Sequence, residues 1–290
     1  MFNYHLYKLG QFIVLRVPLK LAYKIAVFCS DIHYVFADKD RFEVNANLKA
    51  IFPEKGKNEL LKIRIQIFRN FAKYLVDFFR FEELNKEYIS RKVIIENIHY
   101  LDEALKKSKG VVLLSAHIGN WELGGAVIAL LGYPLWVVAL PHKIKKVNDF
   151  FNAQRERKGM KVIIFGKAAR TCIRLLAENK IIGLVGDKDF TKEAGIVTDF
   201  FGKPTYLPKG PAAFALRNGA PIIPVFMLRN PDDTFTLKIG KPVDCDSGSM
   251  EGITFECKNV IENLVKDHPE QWYMFKRFWI QQTPLETIEQ

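Results

Sequence analysis

Cysteine is scarce in this chain: four residues, at 29, 172, 245 and 257, with no CxxC pair. The six histidines form no HExxH. These absences remove the usual zinc-site spacings, so no metal or cofactor is expected. Scattered cysteines suit a reducing compartment, and Cys29 and Cys172, in apolar stretches, read as core or interface thiols. There is no GxSxG nucleophile elbow, no internal repeat and no low-complexity linker. Acidic residues are missing from the first 30 positions. Uninterrupted apolar runs of bilayer length, about 20 residues, are missing too. Near the N-terminus the longest uncharged run is Leu9 to Leu15. Leu123 to His142 is uncharged throughout, but Gly124-Gly125 and Gly132-Tyr133-Pro134 break it into a helix and a following strand. No small-residue cleavage site follows a clean apolar stretch, as a signal peptide requires.

What is present describes a folded domain. The 290 residues are 49% apolar and 26% charged, which excludes disorder and is long enough for a native-sized core. The mean hydropathy of −0.03 is too low for a polytopic membrane protein. The net charge of +11 calls for an anionic partner: nucleic acid, anionic lipid or an acidic carrier protein. No nucleic-acid-binding signature accompanies it. Arg16, Lys20 and Lys24 stand at i, i+4 and i+8 among apolar residues. One N-terminal helix with a cationic stripe fits a membrane interface, with its basic face on anionic headgroups.

Helical periodicity continues through Phe42–Phe52 and through 58–81, where Leu61, Ile65, Phe68, Ala72, Leu75 and Phe79 mark the apolar face. From about Lys92 short apolar runs alternate with helix-length segments. The expected strands are Val93–Ile95, Val111–Ser115, Leu135–Leu140, Val162–Phe165, Ile181–Val185 and Ile222–Leu228. The expected helices are Leu101–Lys107, Asn120–Leu131, Lys145–Lys158, Ala168–Asn179, Lys209–Asn218 (with Gly219 as its C-cap) and a tail helix over Glu251–Trp279. Such alternation defines an α/β fold with a mixed, largely parallel central sheet flanked by helices. The expected organisation is a helical, membrane-associating N-terminal extension over 1–90 and one compact α/β unit over 91–290.

In open α/β sheets ligand sites gather beyond the carboxyl ends of strands. His117 follows the strand Val111–Ser115, and Glu122 stands five positions on, in the first turn of the next helix. Gly119, between them, lets the backbone turn. A strand–turn–helix lets that carboxylate fold back on the imidazole, fix its tautomer and raise its basicity, giving a general base. Helix N–H groups nearby would serve an oxyanion or phosphate. Pro141-His142-Lys143 and Gly186-Asp187-Lys188-Asp189 follow two other strands, so basic and acidic side chains converge on one edge.

The run LLSAHIGNWELGG resembles the HxxxxE box of the bacterial lipid A biosynthesis acyltransferases, relatives of the phosphatidylinositol mannoside acyltransferases. RFEVNANLKAIFP (41–53), AQRERKGM (153–160), GLVGDKDF (183–190), FFGKPTYLPKGPAAFALRNGAPIIPVF (200–226) and HPEQWYMFKRFW (268–279) are similar to further family segments, in order along nearly the whole chain. The resemblance implies a glycerolipid-acyltransferase-like fold. It also implies transfer of an acyl group from acyl carrier protein or coenzyme A to a hydroxyl of a lipid A precursor or similar anionic glycolipid. It implies work at the cytoplasmic face of the bacterial inner membrane, with attachment through the N-terminal helix. On this reading His117 takes the acceptor proton and Glu122 orients and charges His117, forming a His–Glu dyad without a covalent acyl-enzyme. Arg155, with Arg157 behind it, holds a phosphate or polarises the carbonyl. Asp187 and Asp189 place Arg155 or the acceptor sugar, and Asn120 in the box is counted with the substrate-binding residues. Trp121 reads as core or pocket wall, His142 as rim, and Phe200-Phe201 as core or tunnel border. His268 and Trp272 read as packing for the tail helix.

Two departures concern the acceptor. Lysines enrich PHKIKKVND (141–149), and Lys276-Arg277 replaces an Arg-Arg pair. A phosphatidylinositol mannoside-type or other phospho-glycolipid acyltransferase is the alternative within the family. A catalytically inactive membrane-surface binding protein is the alternative outside enzymes, and the presence of both His117 and Glu122 argues against it.

Overall fold

The computed structural model describes residues 2–166, 168–188 and 195–280. The front of the chain is helical: α1 (Phe2–Arg16), α2 (Leu19–Phe36), α3 (Asp38–Ile51), α4 (Lys57–Phe79) and α5 (Lys86–Lys92). The single N-terminal helix read from periodicity is two helices. Pro18 has no N–H to continue α1 and instead precedes the first turn of α2. The expected three-residue cationic stripe is therefore split, with Arg16 ending α1 and Lys20 and Lys24 opening α2. Gly56 caps the start of α4, and its N–H donates to Glu59 Oε2 at 3.3 Å. Its buried positions include Leu60, Ile67, Phe68, Tyr74 and Phe78, while Leu61 is exposed. The expected face was thus partly off register, because α4 is covered by α2 and, towards its C-terminal end, by the rest of the chain as well.

The second part alternates: β1 (Val93–Glu96), α6 (His99–Lys106), β2 (Val111–Ser115), α7 (Trp121–Leu130), β3 (Leu135–Ala139), α8 (Lys145–Glu156), β4 (Lys161–Ile164), α9 (Ala168–Ala177), β5 (Ile181–Val185), β6 (Gly195–Phe200), β7 (Lys203–Pro208), α10 (Gly210–Asn218), β8 (Ile222–Arg229), β9 (Phe235–Ile239) and α11 (Met250–Asp267). Seven strands form one sheet in the order β1-β9-β8-β2-β5-β3-β4. All neighbours are parallel except β8 and β9. Strands β6 and β7 form a separate antiparallel pair. The α/β class, the six expected strands and the Gly219 cap, at φ 64°, are all found. Strands β6, β7 and β9 are additional. The expected tail helix is shorter: α11 stops at Asp267, a 3-10 turn follows over Pro269–Gln271, and the chain then runs irregularly to 280. Pro269 accounts for the stop, since residues before proline are driven from helical dihedrals.

Strand β8 is buried at every position and β2 at its first four, as parallel strands covered on both faces should be. One hydrophobic cluster joins Val112, Leu114 and Ile182 to α9, α10 and α11; the other joins Val111, Leu113 and Ile181 to α6, α7 and α8. The front helices belong to both, through Leu48 and Phe68 in the first and Val14 and Phe78 in the second. Cys172 is buried, but Cys29 is exposed on α2. No helix among the described residues is long and apolar enough to cross a membrane.

Candidate active site

The carboxyl ends of β2 and β5 are adjacent, and each releases a loop to the same place. After β2 the chain turns through Gly119 at φ 60°, where a Cβ would lie 2.0 Å from the Met227 carbonyl oxygen. Only glycine permits this approach. The turn is stitched down by backbone bonds: Gly119 N–H to Gln271 O at 2.9 Å, Asn120 N–H to Met227 O at 2.7 Å, and Tyr273 N–H to His117 O at 2.8 Å. After β5, Gly186 N–H donates to Ser115 O at 2.8 Å. A Cβ on Gly186 would stand 2.5 Å from Leu114 Cδ1, so its small size brings Asp187 beneath the first loop.

The result is an imidazole–carboxylate pair. His117 Nδ1–H donates to Asp187 Oδ1 at 2.8 Å, and Asp187 Oδ2 accepts the His117 backbone N–H and the Trp272 indole N–H, each at 3.0 Å. The Asp187 side chain is fully buried, whereas that of His117 keeps 24% of its surface accessible. Burial pulls the His117 pKa down, but the charge and hydrogen bond of Asp187 outweigh it, and the value stands above the ordinary 6.5. Burial pushes Asp187 up, yet His117 and its other donors hold it below 3.8.

Glu122 does something other than expected. Its carboxylate takes a bidentate bond from Arg155, with Nε–Oε2 at 2.9 Å and Nη2–Oε1 at 2.5 Å. The carboxylate bonded to the His117 ring is Asp187. The reason is geometric: Glu122 sits in the first turn of α7 facing α8, while β5 delivers Asp187 directly under the ring. Glu122 still raises the His117 pKa through its charge, behind Asp187. Arg155 also donates to Asn152 Oδ1 at 2.9 Å, and burial lowers its pKa less than Glu122 raises it, so it stays firmly charged.

The remaining expected residues divide. Asn120 is 1% exposed and does not present itself to a substrate. Its Oδ1 caps α7 by accepting the Leu123 N–H at 3.0 Å, and its Nδ2 donates to Asp77 Oδ2 at 2.9 Å. Arg157 is exposed at the end of α8, outside the cavity wall. Asp187 pairs with His117 and not with Arg155. Asp189 lies outside the described residues. Trp121 is pocket wall, stacked on Tyr74 with ring centroids 4.6 Å apart and edge-on to His117 with ring centroids 5.2 Å apart. His142 is on the rim, and burial beside Arg155 pushes its pKa down. Phe200 is core, and Trp272 is a site residue as well as a packing one.

Behind this loop lies an ion pair that sequence reasoning did not reach. Arg229, at the end of β8, donates to the buried Asp77 of α4, which also accepts from Tyr23 of α2 at 2.5 Å and from Asn120. Gln271 bonds both the N–H and the C=O of Arg229, at 2.9 Å each. A hydrogen-bonded chain therefore runs from α2 to the cap of α7.

His117, Glu122 and Arg155 open onto a cavity of about 660 Å³. Its wall is mainly apolar, drawn from Leu113, Val137 and Met227 on the sheet and from Gly124, Gly125 and Ile128 of α7. Among the described residues no cluster of three or more His, Cys, Asp or Glu side chains could hold a metal ion.

The structure thus sets a His–Asp pair beside an apolar cavity at the carboxyl edge of a largely parallel α/β sheet, and the family the chain matches makes it an acyltransferase. The chain belongs to the bacterial lipid A biosynthesis acyltransferase family, whose model matches residues 1–281. It is similar to a phosphatidylinositol mannoside acyltransferase of Mycolicibacterium smegmatis, at 26% identity over 94% of this chain and 90% of that protein. The Mycobacterium tuberculosis protein of that name is 28% identical over 73% of this chain and 68% of its own length. A lipid A biosynthesis acyltransferase of Haemophilus influenzae is 21% identical over 90% of this chain and 81% of that protein.

Proposed function

We propose that this enzyme moves a fatty acyl chain from a thioester of acyl carrier protein or coenzyme A to a hydroxyl of a phosphate-bearing membrane glycolipid. The observation that carries the reading is the His117–Asp187 pair standing at the mouth of the apolar cavity. The acyl chain occupies the cavity and brings its carbonyl to His117. With Nδ1 committed to Asp187, proton transfer falls to Nε2. Nε2 takes the proton of the acceptor hydroxyl as its oxygen attacks the thioester carbonyl. The C–S bond then breaks, and the departing sulfur receives the proton back. Asp187 stabilises the imidazolium between these steps. The Arg155–Glu122 pair fixes the first turn of α7 against α8 and sets a guanidinium on the same cavity wall, near the charge that develops on the carbonyl oxygen.

The acceptor reading draws on the net charge of +11, which suits a phosphorylated lipid at an anionic surface. The mycobacterial names point to a phosphatidylinositol mannoside and the Haemophilus name to lipid A. Attachment to a membrane surface, which this reading puts at the cytoplasmic face of the inner membrane, draws on exposed apolar side chains on adjoining helices: Leu9 and Phe12 on α1, and Leu21, Phe28, Val35 and Phe36 on α2.

The test offers the purified protein acyl carrier protein and coenzyme A thioesters, each with a lipid A precursor and with a phosphatidylinositol mannoside. Thiol release and lipid mass are followed together. Acylated glycolipid from one pairing, lost in His117→Ala, is expected. Wild-type rates in His117→Ala would sink the mechanism.

A further inference from the structure

The cavity has a direction. Near its mouth it is lined by Ser115 and Val185, at the carboxyl ends of β2 and β5. One pleat further in, Leu113, Gly183 and Val137 stand in register across β2, β5 and β3. The lining reaches Leu135, the first residue of β3, which pairs with Ile181. From Val185 to the level of Ile181 is four residues, or about 13 Å at 3.3 Å per residue. The opposite wall follows α7 inward from Glu122 through Gly125 to Ile128.

At the inner end stand Ile128, Leu135 and Met160, at 0%, 1% and 1% exposure, so that end is closed to solvent. The first two are anchored in α7 and β3. Met160 is different: it precedes β4 and reaches in from outside both elements. Its Sδ lies 2.8 Å from where a Cβ on Gly125 would be, so the missing side chain of Gly125 is the space the thioether uses. An unbranched thioether is the most adjustable of apolar side chains. We infer that Met160, seated against Gly125, is the stop that sets the length of acyl chain the enzyme accepts.

This inference rests on the acyl-transfer reading and deepens it. It requires opposite effects from two changes. Met160→Ala lengthens the cavity and moves the preferred donor to a longer chain. Gly125→Ala fills space at the same point, crowds the thioether and moves the preference to a shorter one. Terminal methylenes in an apolar pocket discriminate by roughly 10–200-fold each, so the ratio of kcat/KM for a chain one two-carbon step longer over that for the wild-type optimum is expected to rise at least tenfold in Met160→Ala.

The experiment measures kcat/KM for a series of saturated acyl donors of graded length. In parallel, calorimetry records binding of non-hydrolysable acyl-thioether analogues of the same lengths. Met160→Val, shorter but still apolar, replaces Met160→Ala if the latter does not fold, with a smaller shift in the same direction. Opposite shifts in the two variants support the stop. An unchanged length order in folded variants, or an equal loss at every length, overturns it. If wild-type protein binds the analogues and the variants shift their length order, yet no thioester is consumed, the length stop stands and the acyl-transfer reading fails.

Discussion

Burial and pairing act on His117 in opposite senses, and pairing wins. The sign has two consequences. A histidine whose folded pKa is raised stabilises the fold fully below its unfolded value near 6.5, and that contribution fades as pH rises through the folded value. Asp187, held below 3.8, stabilises the fold above that value and loses its contribution as pH falls through its folded value. The pair is therefore strongest between those limits. On the proposed mechanism the ring must be neutral, so kcat should rise with pH and level off with a midpoint above 6.5. In Asp187→Asn burial is opposed only by the weaker pull of Glu122. The midpoint should move down, and kcat should fall by about 10²–10⁴-fold; a midpoint that stays in place would remove Asp187 from the mechanism. Trp272→Phe keeps the ring but deletes a donor to a buried carboxylate, at a cost of about 1.5–3 kcal/mol measurable by denaturant unfolding at neutral pH. At this scale the sequence made His117, Glu122 and Arg155 legible as neighbours of one site, because each follows from local strand–turn–helix chemistry or from a quoted family segment. It did not disclose that Glu122 belongs to Arg155 and Asp187 to His117. That pairing depends on β5 lying beside β2, and strand order is invisible to spacing along the chain.

Elements reach the active-site loop from far apart in sequence. Helices α2 and α4, the end of β8 and the turn at 269–271 meet around Asp77 and Arg229, and Asn120 ties that cluster to the cap of α7. Arg229 also lies over the rings of Tyr23 and Phe235, at 4.9 and 4.7 Å. A buried charge left alone is far more costly than a buried pair. Arg229→Met should thus destabilise the protein by about 3–5 kcal/mol, seen as a lower midpoint in thermal or denaturant unfolding. An unfolding midpoint equal to wild type would mean that Asp77 is solvated or neutralised by other means. Legibility also fell off with element length and context. The central strands were readable because burial on both faces makes them continuous apolar runs. Phe235–Ile239 alternates apolar and polar residues, as a strand with one covered face does, and needed its neighbours to be recognised. The β6–β7 pair sits outside the main sheet, and the break at Pro18 was outweighed by helical spacing that runs on past it.

For the whole molecule, the apolar side chains left uncovered are concentrated at one end of the chain. On α2 they recur at Leu21, Ile25, Phe28, Ile32 and Val35, a spacing of four and three that makes one stripe. The opposite side of the same helix, Ala22, Tyr23 and Ser30, is buried. Helix α1 adds Leu6, Leu9, Phe12 and Ile13, and α3 adds Phe42. Lys20 and Lys24 are exposed beside the α2 stripe. If this face meets a bilayer, binding has two separable parts. The apolar part scales with buried area, at about 25 cal/mol per Å², and is insensitive to salt. The charge part depends on anionic lipid and is screened within about 10 Å at 0.1 M salt. The protein should therefore sediment with vesicles containing anionic lipid more strongly than with neutral ones, and rising salt should remove the difference but not all of the binding. Phe28→Asp with Phe36→Asp should cut binding to both kinds of vesicle while leaving thioester turnover on a detergent-solubilised acceptor intact, because neither residue lines the cavity. Undiminished vesicle binding in that double variant would show that α2 is not the contacting face.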